Sequence, residues 1–254
     1  MILFAKYHGA GNDFIVIDDR KETFPVLDSN FIQFLCQRHR GVGADGLLLI
    51  QTSHKADARM RIFNSDGKEA AMCGNGLRCL VDFAYQLKLM GAQSTIETAD
   101  RIVECLWKEN EITVDLGPYQ WIQHELSFNS LKFHLVNTGV PHAVTFVEND
   151  DHFSLAPQIR FHPSLGKEGA NVNFAMLKEN KLHLRTYERG VEGETLACGS
   201  GAAAVALAAQ RKYHLSNPVT IVPRSGDELK VEVFPSSLRL SGKETFIFHG
   251  SLSL

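Results

Sequence analysis

Two short units of this chain hold the residue types that proton transfer needs. "CGNG" begins at Cys73 and "CGSG" at Cys198, 125 positions later (198 less 73). A glutamate stands four residues before each cysteine, Glu69 and Glu194, and an apolar run follows each unit. A cysteine at the start of a helix meets unpaired backbone N–H groups and partial positive charge. A thiolate there is stabilised, so the thiol pKa falls below its free value of about 8.5. The N–H groups of Gly74-Asn75 and Gly199-Ser200 suit a carboxylate. Two such turns around one anion would set one thiol on either side of it. That arrangement serves the inversion of a stereocentre beside a carboxylate. One thiolate takes the α-proton from one face, and the other thiol returns a proton to the opposite face. Helix N-termini and backbone donors would hold the developing charge. No pyridoxal signature is evident, and no cofactor is expected.

Short patterns also have ordinary explanations. A lone cysteine in an apolar helix is usually a small buried hydrophobe, and Cys36, Cys79 and Cys105 are read that way. A glycine-rich phosphate cradle is the nearest competitor. Neither copy supplies the Gly-Lys-Ser/Thr of a P-loop or a complete G-x-G-x-x-G turn. Duplication, with a glutamate before and an apolar helix after, is what lifts Cys73 and Cys198 above chance.

The elements that must position these thiols follow from periodicity. Leu77, Leu80, Val81, Ala84 and Leu87 make one apolar stripe, closed by Gly91. "GAAAVALAAQRKY" is apolar on every face until Gln210, the mark of a buried helix. A third helical pattern, "SNFIQFLCQRH", has Ser29 as its expected N-cap. Short β-like runs fill most of the rest, and "KEN" after "RIVECLW" reads as a hairpin turn. Gly117-Pro118 is the best boundary signal. "FNSDGKEAAMCGNG" answers "YERGVEGETLACGSG", and Gly11 and Gly139 lie 128 apart. The expectation is a duplicated α/β fold with two pseudo-symmetric domains, 1–117 and 118–244. Each is a mixed or antiparallel sheet curled around a central helix, with the active site in the cleft between them.

Composition narrows the class. The chain has 254 residues, 44% apolar and 22% charged, with a formal net charge of −3. That charge makes no electrostatic case for nucleic acid. No apolar run approaches the roughly 20 residues of a membrane span. The N-terminus lacks the basic start and apolar core of a signal peptide, so a cytoplasmic location is expected. Five cysteines, an odd count, argue against a disulfide framework. Neither a CxxC nor a Cys/His zinc spacing occurs, and no metal is expected. The expected partner is a small amino-acid substrate, with neither nucleic acid nor membrane; a homodimer is the assembly kept in view.

"KYHGAGNDFIVID", "RHRGVGADGLLL", "IFNSDGKEAAMCGNGLRC", "GVPH", "ANVNF" and "YERGVEGETLACGSGAAA" run in order from Lys6 to Ala204. Together they resemble the motif series of the diaminopimelate epimerase family. The resemblance implies cofactor-independent interconversion of LL- and meso-2,6-diaminopimelate, in lysine and peptidoglycan precursor synthesis. It also implies a C-terminal strand near residues 245–254 that rejoins the first domain. Carried over by motif, Cys73 and Cys198 are the acid/base pair, and His142 and Glu188 help set their protonation. Asn12, Asn64, Asn171, Glu188 and Arg189 hold the ligand's polar groups. Arg189 suits a distal carboxylate, and Glu188 can accept from an ammonium. Plainer readings stand beside these. Asn12 and Asn64 lie in turn-forming sequence, His142 could be a surface residue, and Glu188–Arg189 a solvated pair worth under about 1 kcal/mol. Glu69 and Glu194 are read as braces for the cysteine turns.

The chain departs from the common family pattern at Val140, where Asn is frequent, and at Gly46, where Gln is frequent. "GVEGET" is also longer than the commoner "GAGET". Loss of two amides predicts relaxed specificity, including racemisation of smaller acidic amino acids such as glutamate. Alternatives are a proline or hydroxyproline racemase-like enzyme and a relative that has abandoned thiol chemistry, as in phenazine biosynthesis. A non-catalytic anion-binding module and a thiol oxidoreductase with two exposed thiols complete the set.

Overall fold

The structure, a computed structural model, describes residues 1–253; Leu254, the end of the expected C-terminal strand, lies outside the described residues. The chain divides into two compact units, Met1–Val114 with the chain from Gly242 onward, and Asp115–Ser241. Gly117-Pro118 therefore falls just inside the second unit. Among the described residues no helix is long and apolar enough to cross a membrane.

In the first unit the strands are β1 (Ile2–Gly9), β2 (Asn12–Asp18), β3 (Gly46–Gln51), β4 (Ala58–Asn64), β5 (Glu69–Ala70), β6 (Gln93–Glu97), β7 (Ile102–Lys108) and β8 (Glu111–Gly117), whose last three residues belong to the second unit. β1 pairs antiparallel with β2, β2 parallel with β3, β3 antiparallel with β4, and β4 parallel with β6. β6–β7 and β7–β8 are antiparallel. The "KEN" turn joins β7 to β8 with Glu109 and Asn110 both at positive φ, 53° and 61°, as a two-residue hairpin turn requires.

The second unit holds β9 (Gln120–Phe128), β10 (Leu131–Asn137), β11 (Pro141–Phe146), β12 (Asn171–Lys178), β13 (Lys181–Glu188), β14 (Gly193–Thr195), β15 (Val219–Val222), β16 (Leu229–Val233) and β17 (Leu238–Gly242). It repeats the same ladder. β10–β11 is antiparallel, β11–β12 parallel, β12–β13 antiparallel, β13–β15 parallel and β15–β16 antiparallel. β9 precedes this ladder, antiparallel to β10. The first unit takes its equivalent edge from the end of the chain: β18 (Glu244–Leu252) lies antiparallel on β1.

The helices are α1 (Ser29–Cys36), α2 (Gly74–Gln86), α3 (Ala156–Arg160) and α4 (Gly199–Tyr213). α2 contacts β1, β2, β3, β4, β7 and β18, and α4 contacts β10, β11, β12, β13, β15 and β16. Each sheet thus curls around one helix. α4 is buried from Gly201 to Ala209, and its alanines let strands approach on every side. β3, buried at all six positions, separates α2 from a second cluster of Phe4, Ile15, Ile32, Leu35, Leu47 and Leu49 under α1. Burial on both faces explains its unbroken apolar run.

Two local expectations need correction. Asp28, not Ser29, caps α1: its Oδ1 accepts from the Phe31 N–H at 3.0 Å. A carboxylate one residue earlier reaches the free N–H, and Ser29 is already helical. The α2 stripe also stops early. Leu87 is the C-cap and 43% exposed, because Lys88 at φ 57° turns the chain before Gly91.

Candidate active site

Both cysteines are helix N-caps in extended backbone, Cys73 at φ −142° and ψ 118°, Cys198 at φ −130° and ψ 110°. A short hairpin delivers each one. β4–β5 precedes Cys73 and β13–β14 precedes Cys198, and one guanidinium locks each hairpin. Arg61 grips Glu69 at 2.7 and 2.8 Å, and Arg185 grips Glu194 at the same distances. Those hydrogen bonds hold both carboxyls below the usual range. The two glutamates are therefore braces for the hairpins.

Around Cys73 the polar groups are ordered by charge. Asp13 accepts from Lys6 at 2.6 Å and from Arg38 at 2.7 Å, and Arg38 also bonds Asp45 at 2.7 Å. Burial pushes the Asp13 carboxyl up, but hydrogen bonds from Arg38 and Lys6 hold it at about 2. Asp45 in turn fixes Asn12. An ionised carboxylate only accepts, so Nδ2 of Asn12 faces Asp45 at 2.9 Å and Oδ1 faces Cys73 Sγ at 3.7 Å. The Cys73 sulfur also accepts from the Gly76 N–H at 3.5 Å. Asn12 thus orients the thiol through its side chain.

Asn75 and Asn64 also make hydrogen bonds within the protein. The Asn75 side chain is buried and spent within the protein, donating to Asn12 Oδ1 at 3.4 Å and accepting from Arg78 Nη2 at 3.0 Å. Its backbone N–H, the group expected to meet a ligand carboxylate, lies in the first turn of α2. Asn64 is exposed and closes a turn, its N–H on Lys68 O and its carbonyl taking the Gly67 N–H, both at 2.9 Å.

Around Cys198 the arrangement is a relay. Its sulfur lies 3.5 Å from Ser200 Oγ, which lies 3.0 Å from His142 Nε2. His142 is fully buried, not a surface residue. Burial pushes its pKa down to about 3, the Asn173 hydrogen bond opposes this, and the Arg189 guanidinium adds to the fall. The ring is neutral, and its tautomer follows from Asn173. Oδ1 of Asn173 accepts from Thr186 Oγ1 at 3.0 Å, so its Nδ2 donates to His142 Nδ1 at 3.0 Å. The ring proton is then on Nε2 and points at Ser200. With that bond accepted, the Ser200 hydroxyl can donate to the Cys198 sulfur. His142 therefore reaches the thiol through Ser200, which contributes its hydroxyl as well as its backbone.

Asn171 also faces inward. Its Oδ1 accepts from the Arg189 N–H at 2.7 Å, which leaves its Nδ2 3.4 Å from His142 Nε2. Two donors meet there, so the contact is packing. Asn171 holds His142 and the Arg189 backbone in place. Glu188, half-buried, ends β13, and the Arg189 side chain follows it, also half-buried.

The second glycine of each unit answers to packing. A Cβ on Gly201 would meet Asn173 Oδ1 at 2.6 Å, and one on Gly76 would meet Leu48 at 3.1 Å. Gly46 is likewise structural: a Cβ there would lie 2.7 Å from the Phe63 carbonyl oxygen. Nor are both thiols freely exposed: Cys73 is half-buried and Cys198 is 6% exposed. Asn173, Thr186, Asp45, Arg78 and Glu244 were not singled out from sequence. Only Asn173 carried a signal, two residues from Asn171 and so on the same face of a strand.

This duplicated fold is shared by proteins of distant sequence. It superposes on a Bacillus anthracis phenazine biosynthesis protein with a TM-score of 0.78 at 16% identity, covering 100% of this chain and 99% of that one. A probable proline racemase from Agrobacterium radiobacter gives 0.72 at 15% identity, covering 100% and 93%. At such identities the likeness is one of fold. The sequence is far closer elsewhere. Residues 4–122 and 134–241 match the family pattern of diaminopimelate epimerase. The chain is 39% identical to the diaminopimelate epimerase of Hydrogenobaculum sp. over 99% of both chains. It is 39% identical to that of Archaeoglobus fulgidus, over 100% of this chain and 97% of the other. The chain belongs to the diaminopimelate epimerase family.

Proposed function

We propose that this chain is a cofactor-independent isomerase that interconverts LL- and meso-2,6-diaminopimelate with the thiols of Cys73 and Cys198. The supporting observation is the duplicated cap: a cysteine begins α2 and α4 alike, and each sulfur has polar partners suited to a change of protonation. The chemistry requires one thiolate to take the α-hydrogen and the other thiol to protonate the opposite face. Gly74-Asn75 and Gly199-Ser200 N–H groups are assigned to the carboxylate at the reacting carbon, where charge develops. Arg189 is assigned to the distal carboxylate and Glu188 to the distal ammonium. Asn12 orients Cys73, and His142 with Ser200 supports a thiolate at Cys198. The enzyme is assigned to the cytoplasm and to supply of lysine and peptidoglycan precursors.

Incubation with LL- and meso-diaminopimelate in deuterated water tests this, wild type beside Cys198→Ala. The wild type should place deuterium at the α-carbon and the variant should not complete epimerisation. A wild type that incorporates none overturns the assignment. Relaxed specificity rests on Gly46 and on Val140, a half-buried position whose carbonyl accepts from Thr138 N–H at 3.2 Å. A panel of L-amino acids including glutamate decides it: exchange confined to diaminopimelate ends that idea.

A further inference from the structure

Beneath the first turn of α2 lies an ion pair that proton transfer, as described above, does not use. The Arg78 and Glu244 side chains are fully buried, with Nε on Oε1 at 2.5 Å. Their position is built for. Gly9 in β1 carries no Cβ, which would collide with Glu244 Oε2. Cys79 Sγ donates to that same oxygen at 3.4 Å. A buried pair of this kind contributes little net stability against an apolar replacement, so its retention needs another account.

The geometry supplies one. Arg78 has a second donor, Nη2, on Asn75 Oδ1 at 3.0 Å. Asn75 passes its own Nδ2 to Asn12 Oδ1 at 3.4 Å, and that oxygen faces Cys73 Sγ at 3.7 Å. An unbroken chain of hydrogen bonds thus runs from Glu244, on the last strand, to the sulfur. Asn12 Oδ1 can only accept, so the bond it makes to sulfur requires the S–H form. We propose that the Arg78–Glu244 pair is a positioning element for Cys73: acting through Asn75 and Asn12, it holds the sulfur at a carbonyl oxygen and sets Cys73 as the resting proton donor. The inference rests on the two-thiol function above for its role in turnover. Other charged or titratable groups around this turn are Cys79, Asp82 and Tyr7, with Asp45 and Arg38 behind Asn12.

Two variants of the full chain test it, with iodoacetamide labelling of each cysteine followed against pH by mass spectrometry. Glu244→Gln keeps the side-chain shape and removes a negative charge near Cys73, which favours the thiolate. Labelling of Cys73 at pH 8 should rise about three- to tenfold, the range of a shift of about half to one pKa unit. Cys198 should label as in the wild type, and buried Cys36 and Cys105 should stay protected. Asn75→Ala cuts the link without changing charge. It should move Cys73 in the same direction by a smaller factor, and it decides alone if Glu244→Gln does not fold. A Cys73 profile that overlays the wild type in a folded variant overturns the proposal. So does a rise shared with Cys36 and Cys105, which marks general loosening. The readout needs no substrate. If wild type fails to exchange diaminopimelate hydrogen while Cys73 labelling responds as expected, the function falls and the positioning role stands.

Discussion

Replacing Ser200 with alanine removes one oxygen with two duties. His142 Nε2–H, fully buried, loses its acceptor at 3.0 Å. A buried donor left unsatisfied costs about 1–3 kcal/mol, which for a chain of this size lowers Tm by roughly 2–4 °C per kcal/mol. Cys198 loses the hydroxyl at 3.5 Å that can donate to its thiolate. A hydrogen bond to a charged group is worth about 1.5–3 kcal/mol, or roughly ten- to a hundredfold in rate at 1.36 kcal/mol per decade. The assay is α-hydrogen exchange in deuterated water beside thermal unfolding, with Ser200→Thr as the rescue. Threonine keeps the hydroxyl and should recover most of the rate. Ser200→Ala exchanging at the wild-type rate would refute the relay. A Thr variant as slow as the Ala variant would assign the loss to packing instead.

The remaining predictions concern stability. Gly201→Ala places a Cβ 2.6 Å from Asn173 Oδ1, an atom held by Thr186, so overpacking should cost about 1–3 kcal/mol in urea unfolding; an unchanged midpoint would contradict the packing account. His142 titrates near 3 when folded against about 6.5 unfolded. The unfolded chain therefore binds the extra proton between those values, and this contribution to stability is full above pH 6.5 and lost as pH falls toward 3. The difference in unfolding free energy between wild type and His142→Gln should follow that slope; a flat difference across this window would mean the ring is not neutral. Glu69→Gln should cost under about 1 kcal/mol and less in high salt, since its partner Arg61 is partly solvated; a larger, salt-independent loss would count against a mere brace.

Much of the site was legible because its causes are local. A cysteine four residues after a glutamate and directly before Gly-x-Gly defines a helix cap in either half, and both caps formed at Cys73 and Cys198. Most strands announced themselves by β-branched and alternating residues. β1, β5, β6, β9 and β14 did not. β9 is almost wholly solvated, with no buried face to write a pattern. The Asn75 and Asn171 side chains also orient neighbours, Asn12 and the Arg189 backbone, a duty that no local pattern encodes.

What the residues alone determined, then, is the pair of thiol-bearing caps, the duplicated units and the family. Capping and periodicity act over three or four positions, and a repeat needs no coordinates to be seen. Only the tertiary structure decided what each sulfur faces. Asn12 lies 61 positions from Cys73, His142 58 from Ser200, and Glu244 166 from Arg78. No local preference encodes such pairs. They exist because β18 closes onto β1 and because β11, β12 and β13 run side by side under α4. That is why Cys73 meets an acceptor and Cys198 a donor, although the two turns are nearly identical in sequence.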